Sequence, residues 1–364
     1  MKSLILPRYV IRSALLAMTG AVVGLWLLQT IFAYLAELED LSDTYTLKEA
    51  LRYIIYRSPY FLSEFIPTGA LLGAVVGLGL LANHSELVIM RAAGLSLYRI
   101  IGWVMLPAFV FVLISLGVNQ FILPTANYQA SAIKQGINQD KLITINGYWS
   151  VANHDNTQDV VYINYADNAG KLGEVKRYQL IDGNLTTALK ATGGTYQPQA
   201  SNDGLYTWQL NQVSQVAISQ SGVKKSSVDN QLLELPIAPT DVHLLTREPD
   251  ELSLTDLYAH GQLMAHQGSR SLKHEVAFWQ KLFSPFSVLS LVLVASSFVF
   301  GSLRSQGLGL RIVLALLTGL LFSYLTDLVG FVALATGLSP MLMAIVPIVL
   351  STLAGMYLLN KKSN

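Results

Sequence analysis

The run His274-Glu275-Val276-Ala277-Phe278 is where this chain comes nearest to hydrolytic chemistry, because a His followed by a Glu on a helix can serve a zinc ion and its bound water. The second His needed one turn further on, on the same face, is Phe278 here, so no metal site is expected. There is no GxxxxGK[ST] loop to cradle phosphates and no GxSxG turn to expose a nucleophilic serine, which argues against nucleotide hydrolysis and acyl transfer by this chain. His84, His154, His243, His260, His266 and His274 lie in polar or interfacial stretches without ligand spacing, and all six are expected to be solvated. Asp327 is the one acid inside an otherwise apolar stretch. It should lie near the outer end of its helix or turn into the bundle, since a carboxylate facing lipid is costly.

A more informative segment is Asn83-His84-Ser85-Glu86-Leu87-Val88-Ile89-Met90-Arg91-Ala92-Ala93-Gly94. Asn83 can cap a short helix with Glu86 reaching back to it, and Gly94 can end that helix in the left-handed conformation. Leu87 and Met90 share a face with Gly94, and Glu86 falls in the first turn, where the helix dipole favours a carboxylate. Apolar anchors beside one fixed charge make a protein-docking surface. The same residues also suit an interfacial connector lying on lipid headgroups, and their types alone leave both readings open.

The elements around that segment are membrane spans. Of 364 residues, 52% are hydrophobic and only 13% charged, about half the charged fraction of a soluble domain. Apolar stretches, uncharged except for Asp327 in the fifth, at Ser13 to Ala36, Phe65 to Ala82, Ile100 to Leu123, Leu282 to Leu303, Ile312 to about Leu334 and Pro340 to Leu359 can each cross ~30 Å of hydrocarbon. The first is longer than a signal-peptide core and lacks a small-residue cleavage site, so it is read as retained. Lys2, Arg8, Arg12, Arg91, Arg99, Arg304, Arg311, Lys361 and Lys362 collect on one side, against Lys48, Arg52 and Arg57 in the opposite short loops. That asymmetry places both termini in the cytoplasm and the large central segment outside. A net charge of +1 without basic stripes excludes a nucleic-acid surface, and the absence of Cys excludes disulfides.

Gly69, Gly73 and Gly77 form a small-residue ridge at spacing four that lets a neighbouring helix approach, and Gly20 and Gly24 repeat the pattern in the first span. Between the third and fourth spans the apolar period falls to two. Strands are expected at Tyr148 to Ala152, Val160 to Tyr165, Glu174 to Ile181, Leu185 to Thr192, Leu205 to Leu210 and Val213 to Ile218, with turns at Asp182-Gly183-Asn184, Gly193-Gly194 and Asn202-Asp203-Gly204. A short helix follows, with Ser253 or Thr255 as its cap. The fold class is therefore mixed: six transmembrane α-helices (3 + 3) with an inserted extracytoplasmic β-jelly-roll-like domain. The expected parts are 1–124 for helices one to three, with the short helix at about 83–94, then 125–272 for the β-rich domain and 273–364 for helices four to six.

The runs Ala70-Leu71-Leu72-Gly73 through Gly77-Leu78-Gly79, Ser85-Glu86-Leu87-Val88-Ile89-Met90 and Ala93-Gly94 resemble the lipopolysaccharide export permeases of the LptF/LptG family. Trp279-Gln280-Lys281-Leu282-Phe283-Ser284-Pro285, Phe300-Gly301-Ser302-Leu303-Arg304-Ser305 and Gly309-Leu310-Arg311 resemble the same family, with wording closer to its LptG branch. The resemblance implies a non-catalytic half-transporter in the Gram-negative inner membrane. It would pair with LptF, be driven by an LptB dimer that uses ATP and Mg, and be joined by LptC, with lipopolysaccharide as substrate and no cofactor of its own. It also implies that Asn83, Glu86, Leu87, Met90, Arg91 and Gly94 form the ATPase-coupling helix. Leu28, Phe32, Leu35, Phe322 and Leu325, on the first and fifth spans, would contact lipopolysaccharide at a lateral gate. Where relatives carry lysines for the lipid phosphates, this chain has Phe32, Leu38 and Glu39 beside the acidic run Glu37-Leu38-Glu39-Asp40, which is expected to repel a bare phosphate. LptF or bridging divalent cations would then compensate. The alternatives are an inner-membrane assembly protein without transported cargo, which would need no ATPase, and a lipid-acting enzyme, which would need ionisable partners for Asp327 within the spans.

Overall fold

Apolar stretches with no water to satisfy their backbone groups must close those bonds within each segment, and helices do so. The computed structural model describes residues 5–42, 45–135, 144–154, 156–167, 170–198, 206–219, 222–235, 238–239, 244–245, 247–266, 270–300 and 306–361. Its principal helices are α1 (Ile5–Glu37), α2 (Leu47–Asn83), α3 (Glu86–Ala92), α4 (Leu97–Gly117), α5 (Leu123–Gln135), α6 (Leu254–His266), α7 (Leu272–Phe300), α8 (Leu308–Thr336) and α9 (Pro340–Asn360). Six spans among the described residues are long and apolar enough to cross a membrane: α1, α2, α4 continued into α5, α7, α8 and α9. The chain divides into two compact units, Met1–Gly136 with Glu275–Asn364, and Ile137–His274. The helical unit extends past residue 124 because a π-turn at Val118–Ile122 lets α4 run on into α5. Asn119 in that turn donates to Ser63 Oγ of α2 at 2.6 Å and to the Ser115 carbonyl at 2.8 Å, using the freedom of the widened turn.

Within the helical unit α2 and α7 are the most buried spans, and α1, α8 and α9 the least. Ile66, Leu71, Leu78, Ile100 and Leu291 are fully buried in one shared core. The glycine ridge of α2 is the tightest seam. A Cβ on Gly69 would lie 2.8 Å from Val22 Cα, one on Gly73 would fall on Met18 Cα, and one on Gly77 would lie 3.1 Å from Ala14 Cα. Ala14, Met18 and Val22 repeat every four residues along one buried stripe of α1, so the two helices meet backbone to backbone. Gly20 and Gly24, by contrast, meet nothing within 4 Å of a built Cβ, because they lie off that stripe.

In the second unit the strands are β1 (Thr144–His154), β2 (Thr157–Asp167), β3 (Lys171–Leu172), β4 (Val175–Ile181), β5 (Asn184–Ala191), β6 (Gly193–Tyr196), β7 (Tyr206–Ser219) and β8 (Gly222–Leu235). All pairings are antiparallel. β3 and β4 continue one another in unbroken register against β2, with Ala166 opposite Leu172 and Ile163 opposite Val175. β5 and β6 do the same against β7. The sheet is thus a meander of six plies, each beside its neighbour in sequence. Trp208, Ile163, Leu210, Val175, Ala191 and Leu235 join a single buried cluster, so the sheet curls around one core.

Three local expectations change. Gly193-Gly194 is strand rather than turn, because a Cβ on Gly194 would sit 2.9 Å from Leu210 Cδ2 and 3.0 Å from the Gln209 carbonyl oxygen. Leu205 lies outside the described residues, and Tyr206 to Leu210 and Val213 to Ile218 belong to one strand, β7, which keeps its register through Gln212 although that residue has φ +49°. β8, whose first nine residues are exposed, had no apolar alternation by which to recognise it.

Ser253 caps α6: its Oγ accepts from the Asp256 amide at 3.1 Å while Asp256 Oδ2 accepts from the Ser253 amide at 3.2 Å. This fixed start carries His260 inward. His260 is 3% exposed and stacks on His274 with ring centroids 3.7 Å apart and planes 12° from parallel, so these two are not the solvated histidines expected. His84 is exposed, as expected, and His243 lies outside the described residues. Burial, and after it the facing His274 ring, pushes the His260 pKa down to about 4, so the ring is neutral at pH 7.

Two predictions follow from these contacts. Gly73→Leu should lower the thermal midpoint of the purified chain, since overpacking against backbone costs about 1–3 kcal/mol, while Gly20→Leu leaves it unchanged. Equal midpoints for the two variants would contradict the seam. The depressed His260 pKa means its contribution to stability is intact above pH 6.5 and is lost as pH falls through about 4. Thermal melts between pH 7 and 4 should show that loss in the wild type and less of it in His260→Phe.

Candidate functional site

The end of the bundle that carries α3 is built from chain reversals. Asn83 is the last residue of α2, and Ser85 takes a left-handed conformation (φ 61°) that turns the chain straight into α3. In that conformation Ser85 makes no side-chain cap, and the capping pair expected from Asn83 and Glu86 does not form, because Glu86 is already the first residue of the helix. The C-terminus forms as expected. Gly94 is left-handed (φ 85°), its amide donates to the Arg91 carbonyl at 3.0 Å, and the Leu95 amide donates to the Met90 carbonyl at 3.2 Å.

Glu86 is held by a residue that sequence reasoning missed. The Tyr9 hydroxyl of α1 donates to Glu86 Oε1 at 3.0 Å, while Glu86 Oε2 is shielded from solvent without a hydrogen-bond partner among the described residues. The two residues are 77 positions apart, and no local pattern links them. Leu87 and Met90 are each 4% exposed and belong to the bundle core. The outward apolar face of α3 is instead Val88 and Ile89, with Arg91 exposed in the last turn. The short helix is thus rooted by Leu87 and Met90 and presents the residues between them.

On α1, Leu28, Phe32 and Leu35 are exposed, joined by Leu27 and Ile31 in one apolar stripe. On α8, Phe322 and Leu325 are half-buried, and Phe322 packs against the bundle core. The exposed row of α8 runs beside them through Leu317, Leu321, Tyr324, Leu328 and Phe331. The structure therefore leaves the three α1 residues exposed and turns the two α8 residues partly inward.

The acidic C-terminal end of α1 is not a bare negative patch. Lys134 of α5 pairs with Glu37 and, at 2.8 Å, with Asp40, and its ammonium lies 5.4 Å from the Tyr45 ring centroid and 5.3 Å from that of Tyr53. Partial burial alone would lower the Lys134 pKa, but its hydrogen bonds to Asp40 and Glu37 prevail and raise it. Burial, and then the hydrogen bond its hydroxyl donates to Glu37, raises the pKa of Tyr45. Nearby, Arg57 of α2 donates to Asn127 Oδ1 at 3.3 Å and covers the Tyr60 ring at 4.2 Å. Lys134→Met should release the end of α1, with amide exchange at Glu37–Asp40 rising about tenfold; unchanged exchange would contradict the tether.

The sequence profile described as lipopolysaccharide export system permease LptF/LptG matches residues 8–361. The lipopolysaccharide export system permease protein LptG of Haemophilus influenzae is 27% identical over 361 residues, covering 98% of each chain. Its counterpart from Escherichia coli K12 is 28% identical over 318 residues, covering 85% of each. With this match running from the first span to the last, and with three helices on either side of a β-unit, the chain belongs to the LptF/LptG family of lipopolysaccharide export permeases.

Proposed function

We propose that this chain is the LptG-type permease subunit of an ABC transporter that extracts lipopolysaccharide from the inner membrane and passes it toward the periplasmic bridge to the outer membrane. It pairs with LptF. An LptB dimer supplies ATP hydrolysis with Mg, LptC joins the assembly, and the chain itself is non-catalytic. The Lys and Arg asymmetry supports cytoplasmic termini and a periplasmic β-unit.

The observation that carries this reading is the construction of α3. A seven-residue helix rooted in the core presents Val88 and Ile89 outward, beside a carboxylate with one oxygen held by Tyr9 and the other without a partner among the described residues. That combination suits a groove on a motor protein that supplies an apolar floor and one donor. Asn83, Glu86, Arg91 and Gly94 shape the helix, and Leu87 and Met90 transmit its displacement to the core. A motor can shift the permease only through contacts that differ between its nucleotide states, so α3 must stay gripped through the cycle. The apolar stripe of Leu28, Phe32 and Leu35 is the acyl-chain surface of the gate, with Phe322 and Leu325 backing the corresponding face of α8. The tether on Glu37 and Asp40 lowers the repulsion that the acidic run would exert on lipid phosphates.

Glu86→Ala should reduce co-purification of the ATPase and abolish lipopolysaccharide release from proteoliposomes; wild-type association and release would refute the coupling role. Tyr9→Phe removes only the hydroxyl. It should leave assembly intact and lower the lipopolysaccharide released per ATP hydrolysed several-fold, since Glu86 would lose its orienting donor. An unchanged ratio would make the Tyr9 contact incidental.

A further inference from the structure

A cavity of about 460 Å³ opens beside α3, between the end of α2, the end of α7 and the start of α8. Its size falls within the range of small-molecule sites, roughly 300–1,000 Å³. The walls are of two kinds. Leu87, Val88, Val299 and Phe300 supply apolar surface, and Arg91 and Arg311 supply guanidinium groups. Arg311 is only 3% exposed, so its charge is held within the protein at the cavity wall rather than on an open surface. None of the described lining residues is acidic. Glu86, the acid nearest in sequence, does not line the cavity, and its Oε1 is engaged by Tyr9.

We propose that this cavity binds the phosphate of an anionic phospholipid, with the guanidiniums of Arg91 and Arg311 on the phosphate and the apolar wall along the glycerol and first methylenes. Two guanidiniums with no carboxylate among the described lining residues select an anion, and Arg is suited to bidentate phosphate contacts. A free phosphate would satisfy the charges but leave the Leu87, Val88, Val299 and Phe300 surface wet. A lipid headgroup uses both. The cavity lies at helix ends on the side richest in Lys and Arg, and basic pockets between spans at that level receive anionic headgroups. Only the assignment to the cytoplasmic leaflet rests on the orientation proposed above. Because Leu87, Val88 and Arg91 belong to α3, the bound headgroup braces that helix against α7 and α8.

The test is native mass spectrometry of the full chain in detergent, titrated with dioleoyl phosphatidylglycerol or dioleoyl phosphatidylcholine. Phosphatidylglycerol should bind about tenfold tighter than phosphatidylcholine, and the double variant Arg91→Gln/Arg311→Gln should lose that preference. Arg311→Lys, which keeps the charge, should retain most of it. If the double variant does not fold, the exposed Arg91→Gln alone should lower the preference several-fold. Equal binding of the two lipids, or an unaltered preference in the Arg91 variant, overturns the proposal. Displacement of phosphatidylglycerol by millimolar inorganic phosphate would identify a free-anion site and overturn the lipid assignment. A photoactivatable phosphatidylglycerol should label peptides containing Val88 or Phe300, and labelling confined to other peptides overturns it too. These readouts need neither ATPase nor transport, so loss of transport with lipid binding intact would count against the permease reading alone.

Discussion

The contact on which the rest of the helical unit depends is the seam between α1 and α2, where Gly69, Gly73 and Gly77 let the backbone of α1 settle at Val22, Met18 and Ala14. Lipid tails are as apolar as leucine, so burial from water does not drive two such helices together; close packing and interhelical hydrogen bonds must. Here three small residues at one spacing remove every side chain that would hold the backbones apart. Trp26 adds a hydrogen bond, donating from Nε1 to Ser58 Oγ at 2.9 Å beyond the glycine stretch. The seam leaves the opposite face of α1 uncovered, and Leu28, Phe32 and Leu35 are exposed there because the packed stripe ends at Val22. One constraint thus produces both the rigid attachment and the open apolar surface.

The two ends of α1 are tied by different chemistry. At one end Tyr9 reaches Glu86 of α3, and at the other Glu37 and Asp40 meet Lys134 of α5. The glycine seam lies between them. α1 is thus held at both ends and along its middle. Both tethers reach the surface, Tyr9 being 47% exposed and the Lys134 and Asp40 side chains 39% and 63% accessible. Exposed ion pairs contribute little to stability, so this one can exchange partners at small cost. The Tyr9 contact sits beside a carboxylate oxygen shielded from solvent, where losing a donor is more expensive.

Much of this layout was legible in the residues. Apolar length revealed six spans, period two the β-unit, and Gly94 the end of α3, since each rests on a local pattern. What stayed hidden was long-range or depended on which face of a helix turns inward. Tyr9 and Glu86 are far apart in sequence, as are Lys134 and Glu37, so an acidic run looked bare that in three dimensions carries one lysine across Glu37 and Asp40. Leu87 and Met90 looked like docking anchors because both are apolar and share a face. Packing decided that the face is internal and left Val88 and Ile89 outside. Phe322 and Leu325 turn partly to the inner side of α8 for the same reason. The Gly193-Gly194 pair looked like a turn because glycine has two uses, and only the closeness of Leu210 shows which applies.

The histidines mark the limit of composition as a guide. His260 and His274 stand among polar neighbours in sequence, yet one is buried by the capped helix α6 and the other is drawn against it at the start of α7. Parallel rings at 3.7 Å cannot both carry a proton without mutual repulsion, and burial disfavours even one. The groups around them, Glu248, which pairs with Lys273, and Arg247, whose backbone meets His274, are charged but spent on local contacts. The stack is therefore stable as a neutral, flat pair, and it fixes α6 against the first turn of α7 within the β-unit. A helix cap, a buried ring and a stacked partner together specify how the chain leaves the sheet, and of the three only the cap is recognisable in the sequence.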